Sequence, residues 1–315
     1  MSQFWKSTST AENHAGFTIT GSKLQVVEVV NKDDQFVLEN VDEAYFNEPI
    51  NFENDKETKI SALLQGAFNE LIIRHPLKSS SASFTLPFEL FYTMQIPFDN
   101  SLLHQDLVEE FKWELSVLYP FAAPQDLVIQ YVEVDKNNLT DFNTAIVAAM
   151  PRKILQLVDS FCKENNLKLK FVDNIHIASE RALAASSPIM DKGLALSIYL
   201  GNKYLSIIFS LNGKPVRLKI IPLNYAGEIP ALIQKEISPS ETFRINKNMI
   251  DACFITGEGL SSSLVDTLRK NTKLEFIYFN PFEKIKPAPK LFDNKNISDK
   301  ANSFSSAAGI AFRLA

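Results

Sequence analysis

Residues Gly193–Pro222, GLALSIYLGNKYLSIIFSLNGKPVRLKIIP, decide the fold. Leu194, Leu196, Ile198 and Leu200 alternate with Ala195, Ser197 and Tyr199, which is the period-2 pattern of a strand. The alternation resumes after Gly201-Asn202-Lys203, with Leu205, Ile207, Phe209 and Leu211 on one side. Asn212-Gly213 is a dipeptide that tolerates two positive φ angles, a strong hairpin signal, and Val216 to Ile221 forms a third run. The stretch predicts three antiparallel strands joined by tight turns.

The same layout occurs about 180 residues earlier. Phe17-Thr18-Ile19-Thr20 leads through Gly21-Ser22-Lys23 into Leu24–Val30, and Asn31–Asp34 turns the chain into Gln35–Asn40. Two copies of one supersecondary unit point to a duplicated, two-lobe protein. Two unrelated meanders would give the same spacing.

Composition bounds the class. With 45% hydrophobic residues in 315, the chain can bury one large core or two moderate ones. Twenty-four phenylalanines against two tryptophans indicate aromatic packing in an ordered globule. A net charge of −5 gives no general attraction for nucleic acid or anionic lipid. Cys162 falls on the apolar face of a predicted helix and Cys253 in a predicted core strand, so two buried free thiols are expected rather than a disulfide. No run approaches the ~18–20 apolar residues of a membrane helix, and residues 1–16 lack a signal-peptide core. A cytoplasmic protein is expected.

Between the meanders, Lys59–Arg74 has helical spacing, and Phe84–Phe98 reads as extended, punctuated by Pro87 and Pro97. Leu103, Leu107, Phe111, Leu115 and Leu118 form one helical stripe, with Asp99-Asn100-Ser101 as its expected N-cap. Leu127–Val134 and Thr144–Ala149 read as strands, Pro151–Asn165 as a helix, Leu167–Val172 as a strand and Ser179–Ser186 as a helix. After the second meander, Ala226–Ile237 reads as a helix broken by Pro230, Asp251–Thr256 as a buried strand, Leu260–Lys270 as a helix and Phe276–Phe279 as a strand. Ile285–Asp299 reads as a basic loop and Ser303–Leu314 as a small-residue helix; Lys284, Lys286 and Lys290 are candidates to meet phosphates or a partner's acids, although a solvated loop is the simpler reading.

This order resembles the PilM-like family of type IV pilus assembly proteins, in the actin-like ATPase superfamily with the cell-division protein FtsA. The matches are Leu86-Pro87, Gln95-Ile96-Pro97 and Asp106–Phe121 to the family's "lP … K.i.lP … el...i..Ea..yiPf"; Ile255–Gly259 to "LSGGG"; Asn280-Pro281-Phe282 to "nPf"; and Ala307–Arg313 to "aiGlAlR". They span most of residues 16–315.

The resemblance implies an α/β, two-lobe actin-like (ribonuclease H-like) fold with a small α/β insertion domain and a reduced second-lobe subdomain. It divides the chain into a flexible tail (1–15), the first lobe (16–83 and 171–192), the insertion (84–170), the second lobe (193–302) and a C-terminal helix closing onto the first lobe (303–315). It further implies a cytoplasmic scaffold, peripheral to the inner membrane through a PilN-like membrane-anchored partner whose cytoplasmic peptide it holds near the insertion. Self-association is a further expectation; nucleic acid is not.

In that superfamily two hairpin turns wrap the nucleotide phosphates, and an Asp in each preceding strand orders the metal. Aligned with "GIDIGSSSIK", Thr18 stands at the Asp position, Thr20 at the Gly position and Gln25 at the Lys position, with Gly21 and Ser22 in the turn. In the second hairpin Tyr199 stands at the Asp position of "DiG", followed by Gly201 and Asn202. Gly257-Glu258-Gly259 matches the adenosine motif with an added negative charge at Glu258. Few residues separate Ile229 from Ile255, where the family carries the subdomain that closes over adenine. The resemblance thus implies a degenerate nucleotide site, no expected cofactor and a pseudo-ATPase. The alternatives are a working Mg-ATP-dependent ATPase whose nucleotide state gates partner binding, or turn glycines serving only φ > 0 at Gly21, Gly201 and Gly257. A sugar kinase is remote, and no histidine pair has metal-ligand spacing. Glu180 matches an acidic family position, although a solvated or capping glutamate is the simpler reading.

Overall fold

Both alternating stretches fold as antiparallel meanders, and each is extended on one side by parallel strands. The computed structural model describes residues 13–32, 35–187 and 192–313, and these divide into two units. The first comprises residues 13–90, 153–186 and 279–313; the second comprises 91–152 and 187–278.

In the first unit, β1 (His14–Ile19), β2 (Lys23–Lys32) and β3 (Gln35–Tyr45) form the meander. Helix α1 (Glu57–Arg74) crosses over to β4 (Ser81–Leu86), which lies parallel to β1, and β8 (Lys168–Asn174) lies parallel to β4. Phe17 stacks on Phe84 at 4.9 Å, and Phe161 of α3 (Arg152–Glu164) meets Phe84 and Phe68 edge-on. The abundance of phenylalanine is spent in this core.

His14 and Ala15, placed in the tail by the sequence reading, are fully buried in β1; residues 1–12 lie outside the described residues. Helix α4 (Ile175–Ser186) follows β8 and begins four residues before the Ser179 start expected from sequence. Glu180 lies on its buried side with His176, Nε2 to Oε1 3.9 Å, and is not solvated.

The C-terminal segment returns to this unit from Phe279, earlier than the boundary expected at 303. The stretch read as a basic loop contains β14 (Lys286–Pro287), paired with β3, and α7 (Lys295–Ser298). Lys290 pairs with buried Glu39 at 3.0 Å, while Lys284 is exposed as expected. Lys300 and Lys23 both pair with buried Glu43, at 2.7 and 2.9 Å. Burial pushes the Glu43 carboxyl up, but the bonds from Lys300 and Lys23 outweigh it and hold the group at about 2.

Helix α8 (Ser305–Ala311) is buried along its whole length, and it packs on α4, β1, β2 and β4. It fits because of two glycines. A Cβ on Gly309 would sit 1.7 Å from the Ala178 carbonyl oxygen, and one on Gly16 would sit 2.3 Å from that of Ala307.

In the second unit, β9 (Leu194–Leu200), β10 (Tyr204–Leu211) and β11 (Lys214–Pro222) form the other meander. Asn212 and Gly213 take φ of 50° and 73° at its hairpin, as the dipeptide predicts. Helix α5 (Ile229–Glu236) leads to β12 (Ile250–Gly257), parallel to β9, and α6 (Ser262–Thr272) leads to β13 (Phe276–Tyr278), parallel to β12. Sheet order β3-β2-β1-β4-β8 thus recurs as β11-β10-β9-β12-β13. The sequence repeat is a repeat of topology. Pro230 starts α5 rather than breaking it, because proline's missing N–H costs nothing in a first turn.

A separate sheet, β5-β7-β6, belongs to this unit: β5 (Tyr92–Pro97), β6 (Leu127–Val134) and β7 (Thr144–Pro151). It is covered by α2 (His104–Leu118), which buries Leu107, Phe111 and Leu115 against Met94, Leu127 and Val147. Leu103 and Leu118, at the ends of the predicted stripe, are exposed. Asp99 does not cap α2; its carboxylate accepts the Ser101 N–H, and Leu103 holds the cap position without a side-chain bond. The independent sheet runs from residue 92 to 151, inside the expected 84–170, since β4, α3 and β8 belong to the first unit.

Cys162 and Cys253 are free and buried, and burial raises both thiols to about 12, with Asp159 adding to the shift at Cys162. Among the described residues no helix is long and apolar enough to cross a membrane.

Two outcomes follow for stability. Burial lowers the His176 pKa from 6.5 to about 3, and the Glu43 value drops from 4.5 to about 2. Both folded values lie below the unfolded ones, so each contribution is complete above the unfolded pKa and is lost as pH falls toward the folded one. The urea midpoint should therefore decline below pH 6.5 and more steeply below 4.5, and Glu43→Gln should flatten the lower limb; a wild-type midpoint constant from pH 7 to 3 would contradict this. Separately, Gly309→Ala should cost about 1–3 kcal/mol, because α8 and α4 must separate. Gly66→Ala, on the exposed side of α1 with nothing within 4 Å of the new Cβ, should stabilise by about 0.5–1 kcal/mol. Thermal melts of the two variants report the contrast.

Candidate functional site

The register places the suspected site residues at matching points of the two repeats. Thr18 pairs with Gln25 one position before the end of the β1–β2 ladder, and Tyr199 pairs with Ser206 one position before the end of β9–β10. The Thr20 N–H donates to the Lys23 carbonyl at 3.0 Å, and the Gly201 N–H to the Tyr204 carbonyl at 2.9 Å. Thr18 and Tyr199 are therefore equivalent, as are Thr20 and Gly201. Each repeat carries a non-acidic residue where the superfamily pattern has Asp.

In the first unit Thr18 is fully buried. Its Oγ1 lies 2.7 Å from Thr85 Oγ1 on β4 and 3.0 Å from Ser306 Oγ on α8. The hydroxyl thus ties together strand, neighbouring strand and C-terminal helix, and among the described residues its hydrogen-bond partners are hydroxyls. Thr20 closes the turn on itself: its Oγ1 accepts the Ser22 and Lys23 N–H groups, each at 3.2 Å. Those are amides of the turn that in a phosphate-wrapping hairpin would point outward at an anion. The Gly21 and Ser22 carbonyls accept the Ile50 and Phe46 N–H groups. Gly21 does not take a positive φ, and a Cβ there would meet only the Ile50 carbonyl oxygen, at 3.7 Å. Left-handed backbone therefore does not explain this glycine.

Gln25, at the position of the family's Lys, donates to Glu43 at 3.2 Å. The nearest ammonium to the turn, that of Lys23, is also engaged by Glu43. No local pattern points to this carboxylate, which lies on β3 and is itself bound by Lys300 from the far end of the chain. The Thr-Gly-Ser-Lys pattern, with a hydroxyl two and three residues before backbone N–H groups, is compatible with a self-capped turn, but the cap itself is seen only in the geometry.

In the second unit Tyr199 is buried, and Asn202 is exposed at the hairpin tip. Gly257 does require its glycine: φ is 116°, and a Cβ would lie 2.2 Å from the Leu200 carbonyl oxygen. That same oxygen accepts the Glu258 N–H at 2.8 Å, so the backbone of the Gly257-Glu258-Gly259 loop is stitched to the end of β9. Gly259 takes φ of 67° with open space around it, and Glu258 is half-buried. After α5 the chain runs through residues 237–249 straight to β12, burying Phe243 and Ile245, and the Arg244 N–H donates to the Leu139 carbonyl. No further folded subdomain intervenes there.

A metal–nucleotide complex does not fit the first turn as built. The first turn's amides are taken by Thr20, its cation by Glu43, and the two Asp positions hold a buried hydroxyl and a buried ring. Among the described residues no group of His, Cys, Asp and Glu is arranged to hold a metal.

No family model matches the sequence, and no curated protein matches it. Solved structures do. The chain superimposes on a PilM-PilN type IV pilus biogenesis complex with a TM-score of 0.73 at 16% identity, covering 97% of this chain and 99% of that one. A Bacteroides thetaiotaomicron protein with an actin-like ATPase fold and unknown function follows at TM-score 0.56 and 12% identity, covering 98% of each. The ethanolamine utilization protein EutJ from Carboxydothermus hydrogenoformans gives 0.51 at 7%, covering 96% of this chain and 91% of that one. At such identities the likeness is one of fold: the chain has the actin-like ATPase fold, and among these three it is most similar to PilM.

Proposed function

We propose that this protein is a PilM-like scaffold of a type IV pilus or related envelope assembly platform, acting by protein binding with little or no ATP turnover. The observation that carries the reading is the self-capped first hairpin, in which the Thr20 hydroxyl accepts the Ser22 and Lys23 N–H groups. An anion arriving at that turn would have to displace bonds already made. It would also find no carboxylate at position 18 or 199 to order a metal.

The choice of partner is supported by the likeness to the PilM-PilN complex. The partner is a PilN-like membrane-anchored protein, recognised through its cytoplasmic peptide. The scaffold is held at the inner membrane through that partner, with residues 84–170, and within them the β5-β7-β6 sheet, as the candidate insertion domain. No cofactor is required. Thr18, Thr20, Gly21, Ser22, Gly201, Asn202, Gly257, Glu258 and Gly259 are the remains of a nucleotide site. The rival reading keeps Mg-ATP as a bound effector that gates partner binding.

The two readings separate in a thermal melt with Mg-ATP. A ligand present at a hundredfold excess over its Kd stabilises by about 2.7 kcal/mol. No shift is expected at millimolar Mg-ATP, whereas co-purification with the cytoplasmic peptide of a PilN-like protein from the same genome should persist without nucleotide. A large shift with Mg-ATP, or peptide capture that depends on it, would favour the gated ATPase.

A further inference from the structure

On the second unit, away from both hairpin turns in sequence, β11 and the end of α5 line an open cavity of about 380 Å³ whose wall is cationic. Arg217 and Lys219 stand two residues apart on one face of β11, and Lys235 comes from the last turn of α5. The one acid on the wall is Glu236, whose side chain is buried. Its two oxygens are divided: Oε1 accepts from Lys219 at 2.6 Å and Oε2 from Arg217 at 3.4 Å. The carboxylate therefore fixes both cations in place without neutralising them together with Lys235, which has no ion-pair partner among the described residues.

The donors left over are those of cations. Arg217 uses one of its N–H groups on Glu236, and its guanidinium lies 4.6 Å from the Phe243 ring centroid, which fixes its plane. Lys219 uses one of three N–H groups, and Lys235 uses none. The two serines on the wall cannot donate further, because the Ser238 hydroxyl donates to the Gln234 carbonyl and that of Ser240 to the Phe243 carbonyl. The carbonyls at the end of α5 are partly screened, since the Ile237 and Ser238 N–H groups cap those of Ile233 and Lys235. Burial lowers the Arg217 pKa, and Glu236 offsets this only in part.

We propose that this cavity binds the phosphate group of a soluble small molecule, a phosphate ester or diphosphate. Three cations against one carboxylate match a group carrying about −1.5 to −2 charges at neutral pH. An immobilised guanidinium flanked by two ammonium groups suits tetrahedral oxygens. The volume falls within the ~300–1,000 Å³ of small-molecule sites.

The test is calorimetric titration of the whole protein with inorganic phosphate and with pyrophosphate, in metal-free buffer. Lys235→Ala and Lys219→Met are the site variants, and Lys284→Ala, an exposed lysine of the other unit, is the control. Lys235 is exposed and has no ion-pair partner among the described residues, so its removal is expected to leave the fold intact. One pyrophosphate per chain is expected, at least about tenfold weaker in both site variants, as for a lost charge-assisted hydrogen bond, and unchanged in the control. Absence of binding, or equal weakening in Lys284→Ala, would overturn the proposal. So would association only with phosphatidylcholine vesicles doped with phosphatidate, since that result would assign the cavity to a lipid headgroup.

Discussion

The first unit depends on how closely two backbones approach. Helix α8 can enter between β1 and α4 only because Gly16 and Gly309 carry no side chain; a Cβ at either would lie 2.3 or 1.7 Å from a neighbouring carbonyl oxygen, far inside van der Waals contact. Once there, α8 contributes no charged or large polar group. Its residues are serines, alanines, one glycine and one isoleucine, all buried. Its serines then complete hydroxyl pairs, Ser306 with Thr18 and Ser305 with Ser179 at 2.9 Å. A buried hydroxyl needs a partner, and these strands and helices supply one another's. The end of the chain is thereby part of the core of its beginning.

The ion pairs of the same unit follow from this arrangement. Bringing residues 279–313 back across β3 places Lys290 beside Glu39 and Lys300 beside Glu43. Two acids on a strand that is otherwise well buried would be costly without those cations. Lys78 and Lys23 supply a second cation to each, so the segment is held by shared carboxylates rather than by separate surface pairs. Exposure of Lys78, Lys290 and Lys300 limits what their pairs contribute, whereas Lys23 is buried beside Glu43, whose depressed pKa shows that the balance there favours the charged form.

What was legible in the sequence was local. Period-2 runs and Asn212-Gly213 reveal both meanders, and the repeat between them reveals the topology, because alternation and turn chemistry act over a few residues. Helix starts were less legible. Asp99 looks like a cap but turns back on Ser101, and Pro230 looks like a break but opens α5, since only the neighbouring packing decides which turn is the first. Contacts distant in sequence left no local mark. Glu43 and Lys300, Glu39 and Lys290, and Arg217 with Glu236 are charges that read individually as solvated. The substitutions at Thr18 and Tyr199 were visible by comparison with the superfamily pattern, whereas the capping role of Thr20 needed the geometry of the turn.

That geometry bears on how such a site changes. A glycine at position 20 would leave the Ser22 and Lys23 amides without their present acceptor, and so available to an anion. A threonine there satisfies them internally, which stabilises the hairpin in the absence of any ligand. Position 18 then faces a different demand. Enclosed by Thr85 and Ser306, with hydroxyls as its hydrogen-bond partners among the described residues, it would hold an ionised aspartate only at a substantial desolvation cost, whereas a threonine hydroxyl is accommodated. The two replacements support each other: a turn that needs no phosphate removes the reason for a carboxylate that orders its metal. A core hydroxyl at 18 lets α8 close down with Ser306 against it. On this argument, the self-capped first turn and the tight seating of the C-terminal helix are two aspects of the same packing.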